Sequence, residues 1–434
     1  MGIDTKTWAD LSQDERTSLL LRPAISQDDS IRDTTARIIA GVRARGDAAL
    51  SELTKELDGA ELTEFRVSAA EIEAAARELS AAARDAIDLA IRNVRAFHEA
   101  QLPSVIRVET MPGVVCERVS HPLDAVGLYV PAGTAPLPSA AIMLAVPATI
   151  AGCPTKILCT PPRPDGTADP AVLVAATRAG ITDIFKVGGA QAIAAMAYGT
   201  RSIPKVCKVF GPGNAYVTSA KAQVGNDPGG AAMDLPAGPS EVLVIADAQA
   251  SAEFVASDLL SQAEHGVDSQ VVLVTTSSEL AGVVTEEIKQ QLSGLSRAVI
   301  ATAALENSRI ILVPDLDTAV DVSNRYAPEH LILQVEQPRD MLPALRNAGS
   351  IFVGQWTPES VGDYCSGTNH VLPTYGFAQS YSGLGVDQFM RQMTIQELSR
   401  DGLTRLGGAV VSLAGLEGLD AHAAAVTRRL SADS

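Results

Sequence analysis

The sequence predicts an α/β protein with two α/β domains, largely parallel sheets and helical extensions at both ends. Three observations predict this class. The N-terminal hundred residues are rich in helix-forming alanine, glutamate and arginine; short β-branched runs further along end in Gly/Pro turns; and alanine-rich helical stretches follow several of these runs. With 434 residues the chain is long enough for roughly two to four domains with buried cores.

Composition and charge argue against several classes of protein. Hydrophobic residues make up 46% and charged residues 20% of the chain, which is typical of a soluble globular protein. A net charge of −17 and a pI near 4.8 argue against nucleic acid or an anionic membrane as the main partner. The longest apolar stretch, 140–152, is too short to span a bilayer, and the first twenty residues lack the apolar run of a signal peptide. Because the five cysteines include no CxxC pair, we expect a reducing, cytoplasmic environment.

The elements follow in chain order. Residues 68–100 predict helices, for which Ser68 and Ser80 are candidate N-caps. From residue 123 the pattern changes to strand, loop and helix, and the chain from Gln388 onward is predicted to return to helix. The strand-like runs occupy residues 125–133, 156–166, 181–189, 240–247 and 269–276.

The loop-rich segment 211–239 contains GPGN, NDPGG and LPAGPS in quick succession. It is predicted to be a hinge between the two α/β domains, which is a common place for a ligand cleft. The loops GPGNAY and VGGAQA lack the complete GxGxxG fingerprint of dinucleotide-binding folds, and the chain has no GxxxxGK[ST] motif. Taken alone, both loops are interpreted as tight turns.

Metal ligation is the stronger chemical signal. Gln262 and His265 lie three residues apart near the end of a predicted helix that Gly266 would stop, so their side chains share a face. Taken alone, such a pair is interpreted as part of a polar surface.

Three of the six histidines stand in unusual surroundings. His330 stands at the entry to the predicted strand LILQV, His370 shares the loop GDYCSGTNH with Asp363, and His422 lies just after Asp420, a candidate N-cap of the last helix. An imidazole near a helix N-terminus tends to stay neutral and available as a ligand. Each histidine alone is interpreted as an ordinary polar residue. Together with Gln262 and Asp363, they would form a nitrogen and oxygen site suited to zinc or manganese.

Five long motifs together resemble the histidinol dehydrogenase family, and the resemblance covers essentially the whole chain in the family's order. The motifs are VFGPGNAYVTSAK, LPAGPSEVLVIAD, SQAEHG, RYAPEHL and WTPESVGDYCSGTNHVLPT. The resemblance implies two Rossmann-like α/β domains with parallel sheets. The implied parts are an N-terminal helical arm (1–27), a first α/β domain with the metal and catalytic residues (28–128 and 239–380), a second α/β domain with the NAD contacts (129–238), and a C-terminal helical tail that completes the partner's active site (381–434).

The resemblance also implies an activity and its cofactors. L-Histidinol would be oxidised through L-histidinaldehyde to L-histidine, the last two steps of histidine biosynthesis, with two NAD+ consumed in sequence. One Zn2+ per subunit would be held by Gln262, His265 and Asp363, together with His422 from the other subunit of a homodimer. The implied contacts to the dinucleotide are Tyr129, Gln191 and Asn214.

Catalytic and substrate-binding residues are carried over in the same way. His330 resembles the general base and Glu329 the residue that activates water. Ser240 matches a substrate-contacting serine, and Glu417 an acid that contacts the substrate across the dimer. The implied substrate pocket is also lined by His330 and the four metal ligands: Gln262, His265, Asp363 and His422.

Two local features have to fit this assignment. Consecutive strand residues point to opposite faces, so Glu329 and His330 reach one site only if the backbone turns, for which Pro328 is the candidate. Glu417 and His422 reach a common site only if one helix ends at Gly418 and another starts at Asp420.

Alternatives stay open at this stage. A cysteine is a common nucleophile in aldehyde oxidation, and Cys365 is the cysteine nearest in sequence to the expected site. A related dehydrogenase acting on another alcohol, or a non-enzymatic metal- or nucleotide-binding relative, would carry many of the same residues.

Overall fold

The structure is a computed structural model and describes residues 3–22, 29–132, 136–236 and 238–432. Within these ranges the strands form a six-stranded and a five-stranded parallel sheet and a three-stranded antiparallel sheet. The predicted α/β class with parallel sheets is therefore confirmed. No helix in the described ranges combines the length and the apolarity needed to cross a lipid bilayer.

The strands are β1 (Asp4–Thr7), β2 (Ile106–Met111), β3 (Val114–Pro122), β4 (Ala125–Tyr129), β5 (Thr155–Thr160), β6 (Asp183–Lys186), β7 (Lys208–Phe210), β8 (Ala232–Met233), β9 (Glu241–Ala246), β10 (Gln270–Thr275), β11 (Arg309–Leu312), β12 (His330–Gln334), β13 (Ser350–Val353) and β14 (Met390–Leu398).

The α-helices are α1 (Gln13–Leu19), α2 (Asp29–Arg45), α3 (Asp47–Asp58), α4 (Ala69–Glu78), α5 (Ala81–Glu99), α6 (Pro138–Ile150), α7 (Pro170–Arg178), α8 (Gly189–Tyr198), α9 (Ala215–Gly225), α10 (Ala252–Ala263), α11 (Ser278–Leu292), α12 (Ala298–Glu306), α13 (Leu316–Tyr326), α14 (Pro338–Met341), α15 (Glu359–Tyr364), α16 (Arg400–Leu416) and α17 (Asp420–Ser431). Short 3₁₀ helices occupy Trp8–Asp10, Leu342–Ala344, Phe377–Gln379 and Val386–Phe389.

The two parallel sheets have related strand orders. The five-stranded sheet runs β6-β5-β4-β7-β8, and the larger sheet runs β1-β11-β10-β9-β12-β13. Apart from the added β1, both sheets place their strands in the order third, second, first, fourth and fifth. This is the order of doubly wound α/β sheets, in which ligands bind where the strand order reverses.

The cores of both sheets follow from their sequences. Strands β9, β10 and β12 are buried along their whole length and consist largely of valine, leucine and isoleucine, as expected for parallel strands covered on both faces. One face of this sheet packs with helices α10, α11 and α12, and the other packs with α13 and Trp8. The burial of apolar side chains on both faces of the sheet holds the first residues of β9 and β12 next to each other.

The predicted N-terminal helices are present, and they pack against the helices of the five-stranded sheet. Helix α2 contacts α8 and α9, α4 contacts α7, and α5 contacts α6. Ser68 and Ser80 cap α4 and α5, since their hydroxyls accept hydrogen bonds from the amides of Glu71 and Ala83. The expected domain boundary between residues 128 and 129 falls inside β4, and the domain ranges stay a prediction.

Two sequence-based expectations are wrong. The N-terminal arm, 1–27, is not purely helical, because β1 pairs in parallel with β11 at the edge of the six-stranded sheet. This four-residue strand, DTKT, has no apolar alternation that would reveal it, and backbone hydrogen bonds to the edge hold it in place. The part of the arm at residues 23–27 lies outside the described residues.

The second error concerns the segment after Gln388, which was expected to be helical. Residues Met390–Leu398 form β14, which pairs antiparallel with β3 over nine residues, and the sheet order is β14-β3-β2. Pairing with a strand distant in sequence therefore overrides the local helical pattern. The helical tail begins only at Arg400, after the capping residue Ser399.

Candidate active site

The parallel register of β9 and β12 brings two sequence motifs together. His330 pairs with Val242, so β9 begins at Glu241 beside the point where β12 begins at His330. The residues just before these strands, Ser240 and Glu329, therefore lie at the same edge of the six-stranded sheet. Glu329 and His330 are almost completely buried, whereas Ser240 is half-buried.

Glu241 and Glu329 bond to each other's backbone. The Glu241 amide lies 3.0 Å from Oε2 of Glu329, and the Glu329 amide lies 3.2 Å from Oε1 of Glu241. The chain enters this position through Ala327, which has a φ of 52° and ends α13, so the left-handed residue is Ala327 and not Pro328. This turn of the backbone at Ala327 leaves the side chains of Glu329 and His330 next to each other, with 3.6 Å between Oε2 of Glu329 and Nδ1 of His330.

His330 is held as a neutral imidazole with one free nitrogen. Its Nδ1 lies 3.2 Å from the Glu241 carbonyl oxygen, which can only accept a hydrogen bond, so Nδ1 carries the hydrogen. Burial lowers the pKa of His330 to about 4, although the negative charge of Asp363 opposes this shift. Nε2 has no hydrogen-bond partner among the described residues and lies 3.8 Å from Oδ1 of Asp363. Its lone pair is available to accept a proton.

A buried acidic cluster faces this nitrogen. Glu359 and Asp363 are one turn apart on α15, and their carboxylate oxygens and the His330 ring offer ligand atoms within 4.8 Å of one another. Burial raises the pKa values of Glu359 and Glu329 well above the usual range, and the neighbouring charge of Asp363 adds to both shifts. Sequence reasoning missed Glu359. Its four-residue spacing from Asp363 in PESVGD is the signal that points to it.

Gln262 and His265 approach the cluster from α10. Gln262 is buried in the last turn of the helix, and its side-chain amide bridges Oε2 of Glu359 (2.9 Å) and the amide of Glu241 (3.1 Å), with the oxygen assigned toward Glu241. His265 follows the helix end at Ala263 and is exposed. It is close enough for its charge to contribute to lowering the pKa of His330, below the larger effect of burial.

The side chains around His330 fit a divalent cation. Glu329, Glu359 and Asp363 bring carboxylates into a buried space, and no lysine or arginine in the described ranges forms an ion pair with Glu359 or Asp363. The Nε2 atoms of His330 and His370 are both buried without a hydrogen-bond partner among the described residues. Uncompensated buried negative charge is costly, and imidazole, amide and carboxylate groups are ligands that zinc accepts.

The dinucleotide candidates lie at the carboxyl ends of three strands of the five-stranded sheet. Tyr129 is the last residue of β4, Gln191 follows β6 at the start of α8, and Asn214 follows β7 and caps α9 through its side-chain oxygen. Strands β4 and β7 flank the point at which the strand order reverses, where ligands of such sheets bind. The Oε1 atom of Gln191 is buried without a hydrogen-bond partner among the described residues.

The loop before Asn214 is fixed by a buried ion pair. The Lys221 ammonium pairs with Asp234 and donates to the Gly211 carbonyl at 2.9 Å, while the Gly211 amide donates to Oδ2 of Asp234 at 2.8 Å. Gly211 has a φ of 122°, which explains glycine at this position. The shape of the GPGN loop therefore depends on Lys221 and Asp234, which lie outside the motif.

Comparison with known proteins decides the family. A family model for histidinol dehydrogenase matches residues 21–430. The histidinol dehydrogenase of Vibrio vulnificus (strain CMCP6) is 56% identical over 426 residues, which cover 98% of each chain. The histidinol dehydrogenase of Xanthomonas campestris pv. campestris (strain 8004) is 54% identical over 428 residues, 99% of each chain. The crystal structure of histidinol dehydrogenase from Elizabethkingia anophelis matches with a TM-score of 0.96 at 43% identity, covering 99% of this chain and 98% of that one. The chain belongs to the histidinol dehydrogenase family.

Membership in the histidinol dehydrogenase family confirms the resemblance carried by the five motifs and supports an oxidoreductase enzyme. Two of the five cysteines are poorly suited to act as a nucleophile. Burial raises the pKa of Cys153 to about 11 and raises that of Cys159 further, so both thiols are poorly reactive. Cys365 directly follows α15 and is half-buried.

The tail of this histidinol dehydrogenase family member breaks where the sequence predicted. Gly418 has a φ of 68° and separates α16 from α17. Leu419, not Asp420, occupies the N-cap position of α17, with no side-chain cap hydrogen bond. Glu417 and His422 are both exposed. In the described part of this chain, neither side chain joins the cluster around His330.

Proposed function

We propose that this enzyme is a zinc-dependent histidinol dehydrogenase that oxidises L-histidinol through L-histidinaldehyde to L-histidine with two NAD+, the last two steps of histidine biosynthesis. The observation that carries the proposal is the pairing of a neutral His330, with a free Nε2, and a buried acidic cluster without a compensating lysine or arginine among the described residues. Family membership supports the choice of substrate. A cytoplasmic location remains a prediction.

His330 is proposed as the general base. Because Nδ1 donates to the Glu241 carbonyl, Nε2 is the atom that accepts the proton from the alcohol oxygen as the hydride leaves the adjacent carbon. Burial favours the neutral ring before reaction, and the nearby Asp363 stabilises the imidazolium that forms. Nε2 of His330 is therefore a defined acceptor for the proton.

Glu329 is proposed to activate water in the second oxidation. One carboxylate oxygen, Oε2, is held by the Glu241 amide, so the side chain is fixed beside His330. Its raised pKa, caused mainly by burial, makes it a better proton acceptor than an ordinary glutamate. Glu329 takes a proton from the water that attacks the aldehyde carbon, and the imidazolium of His330 left by the first oxidation gives its proton to the aldehyde oxygen, which yields the hydrate. The neutral Nε2 of His330 then accepts one hydroxyl proton of the hydrate as the second hydride leaves the same carbon.

Zinc is proposed to be held by Gln262, His265, Asp363 and His422 of the partner subunit. When bound, the ion would supply a Lewis-acidic template that chelates substrate through its imidazole and amine nitrogens. The buried carboxylates and imidazoles around His330 support a cation here, and Glu359 is placed to adjust the charge of the site. The remaining substrate contacts are proposed for Ser240 and Glu417.

NAD+ is proposed to bind through Tyr129, Gln191 and Asn214. When bound, it would supply the acceptor for the hydride in each oxidation. Support comes from the position of these residues at the carboxyl ends of β4, β6 and β7, beside the reversal of strand order.

A homodimer is proposed because the tail has surfaces that this chain leaves uncovered. Leu413 and Leu416 on α16 are 62% and 85% exposed, and Glu417 directly follows them. The outer strand β14 adds Met393 and Ile395, both 44% exposed. Docking of the tail on a second copy would bury these side chains and place Glu417 and His422 near the partner's cluster.

The metal is tested by removal and replacement. Strong chelation is expected to abolish histidinol oxidation, and added zinc is expected to restore it. The reason is that the proposed zinc ion, held by Asp363 and the histidines, would orient the substrate. His265→Asn should lower both bound zinc, measured by atomic absorption, and the rate. His121→Asn, a histidine of β3 outside the site, is the control. Full activity in protein free of divalent metal would refute the zinc proposal.

The two catalytic roles are separated by following each oxidation on its own. His330→Asn is expected to lower the rates of alcohol and aldehyde oxidation by roughly 10²–10⁴-fold, the usual effect of losing a general base. Glu329→Gln should lower aldehyde oxidation more than alcohol oxidation, since only the second step needs water. Cys365→Ser should cost little. A large loss in Cys365→Ser with near-normal His330→Asn would reverse the assignment.

The shared site is tested by mixing two inactive variants. His265→Asn damages the variant's own cleft, and His422→Phe damages the tail that it donates. In a mixed dimer, one site combines an intact cleft with an intact tail, so activity should return, up to one working site per mixed dimer. Mass-labelled subunits verify that exchange occurs. Exchange without recovered activity would show that His422 acts within its own chain.

A further inference from the structure

Arg22 lies outside the motifs that define the site, yet its side chain reaches the start of β9. Its Nε lies 2.6 Å from Oε2 of Glu241 and its terminal nitrogen 2.9 Å from Oε1, a two-point contact with the carboxylate. The Arg22 and Glu241 side chains are only 11% and 2% exposed. Removing one partner of an ion pair this buried leaves the other charge uncompensated, which costs more than breaking a surface pair.

The same guanidinium also holds the segment that leads into β12. Its terminal nitrogen donates to the Tyr326 carbonyl at 2.6 Å and to the Ala327 carbonyl at 3.3 Å. The guanidinium carbon lies 4.0 Å from the centre of the Tyr326 ring, a cation–π contact. Ala327 has a left-handed backbone, which an alanine adopts only when its surroundings hold it there. Arg22 thus contacts the residue that turns the chain toward Glu329 and His330.

Glu241, which Arg22 holds in place, forms hydrogen bonds with both proposed catalytic residues. Its carboxylate accepts from the Glu329 amide, its amide donates to the Glu329 carboxylate, and its carbonyl accepts from Nδ1 of His330. Tyr326 completes the arrangement, because its hydroxyl lies 3.4 Å from Oε2 of Glu241 and donates to Gln270 at 2.7 Å. The two strand starts are therefore joined through one carboxylate and one guanidinium.

The charge balance gives Arg22 a second effect. Burial disfavours the charged form of Arg22. The hydrogen bonds to Glu241 and the negative charge of Glu241 outweigh this effect, so the pKa of Arg22 is raised. Without the guanidinium, the Glu241 carboxylate would be buried beside Glu329 without a cation. An uncompensated buried carboxylate is costly, so the Glu241 side chain would move toward solvent, and this movement would break the reciprocal bonds between the two glutamates.

We propose that Arg22 is a positioning residue of both oxidations, which holds Glu241 so that Glu329 and His330 keep their orientation. The inference rests on the roles proposed for those two residues. Arg22 itself touches neither of them and stays unchanged through the reaction. Lysine cannot replace it, because a single ammonium cannot bond both carboxylate oxygens and two carbonyls in this planar arrangement.

The test compares Arg22→Met and Arg22→Lys with Arg16→Met. Arg16 belongs to α1 in the same N-terminal segment; it donates to the Trp8 carbonyl at 3.0 Å and lies over the Trp8 ring, away from Glu241. Each variant is assayed for kcat and KM with histidinol and with histidinaldehyde. Circular dichroism, bound zinc and NAD+ affinity by calorimetry are measured on the same preparations.

Loss of an outer hydrogen-bond partner in metal sites typically costs about 10–100-fold in affinity or activity, and we expect a loss of similar size in kcat for Arg22→Met and Arg22→Lys. KM, zinc content and NAD+ affinity should change much less, and Arg16→Met should resemble the unaltered enzyme. A merely structural role would lower the folded fraction and leave kcat per folded site unchanged.

Normal kcat in folded Arg22→Met would overturn the inference. If that variant does not fold, Arg22→Lys decides in the same way. Failure of the proposed function itself is distinguishable, because the unaltered enzyme would then not oxidise histidinol at all.

Discussion

Two glutamates at the starts of neighbouring parallel strands bond to each other's backbone, and the rest of the site depends on that contact. The amide of Glu241 holds the Glu329 carboxylate, and the Glu241 carboxylate holds the Glu329 amide. The carbonyl of Glu241 in turn sets which nitrogen of His330 is free. The register that places His330 beside Val242 is fixed by the fully buried strands β9 and β12, so the core of the sheet determines the geometry of the proposed base.

This arrangement places carboxylate groups in a buried space, where negative charge is unfavourable. Burial raises the pKa values of Glu329 and Glu359 well above their usual range, and Asp363 adds to both effects. At the start of β9, Arg22 supplies a compensating cation for Glu241. No comparable ion pair with lysine or arginine involves Glu359 or Asp363 in the described ranges, and a bound divalent cation would stabilise this part of the site.

Much of the fold could be predicted because its signals are local. Valine- and leucine-rich runs followed by helices are enough to predict parallel sheets. Gly418 marks the break between the last two helices that the family resemblance requires. Strands β1 and β14 could not be predicted in this way. Their residues carry little apolar alternation, and they become strands only by pairing with β11 and β3, which are distant in the sequence.

The site shows the same division between local and distant information. The spacing of Gln262 and His265 and the adjacent Glu329 and His330 are visible in the sequence. Glu359 could not be predicted as a site residue, because two carboxylates one turn apart are common on exposed helices. Only its burial, which the structure shows, indicates that it belongs to the site. Arg22 gives no signal at all, since its contact with Glu241 spans 219 residues of chain.

The protonation of His330 tests the account most directly. Nitrogen-15 NMR of zinc-loaded enzyme with labelled histidine can report the hydrogen on each ring nitrogen near pH 7, with His330 assigned by comparison with His330→Asn. The account predicts a neutral ring with hydrogen on Nδ1 and none on Nε2, because Nδ1 faces the Glu241 carbonyl and burial disfavours the charged form. A charged imidazolium, or hydrogen on Nε2, would contradict it.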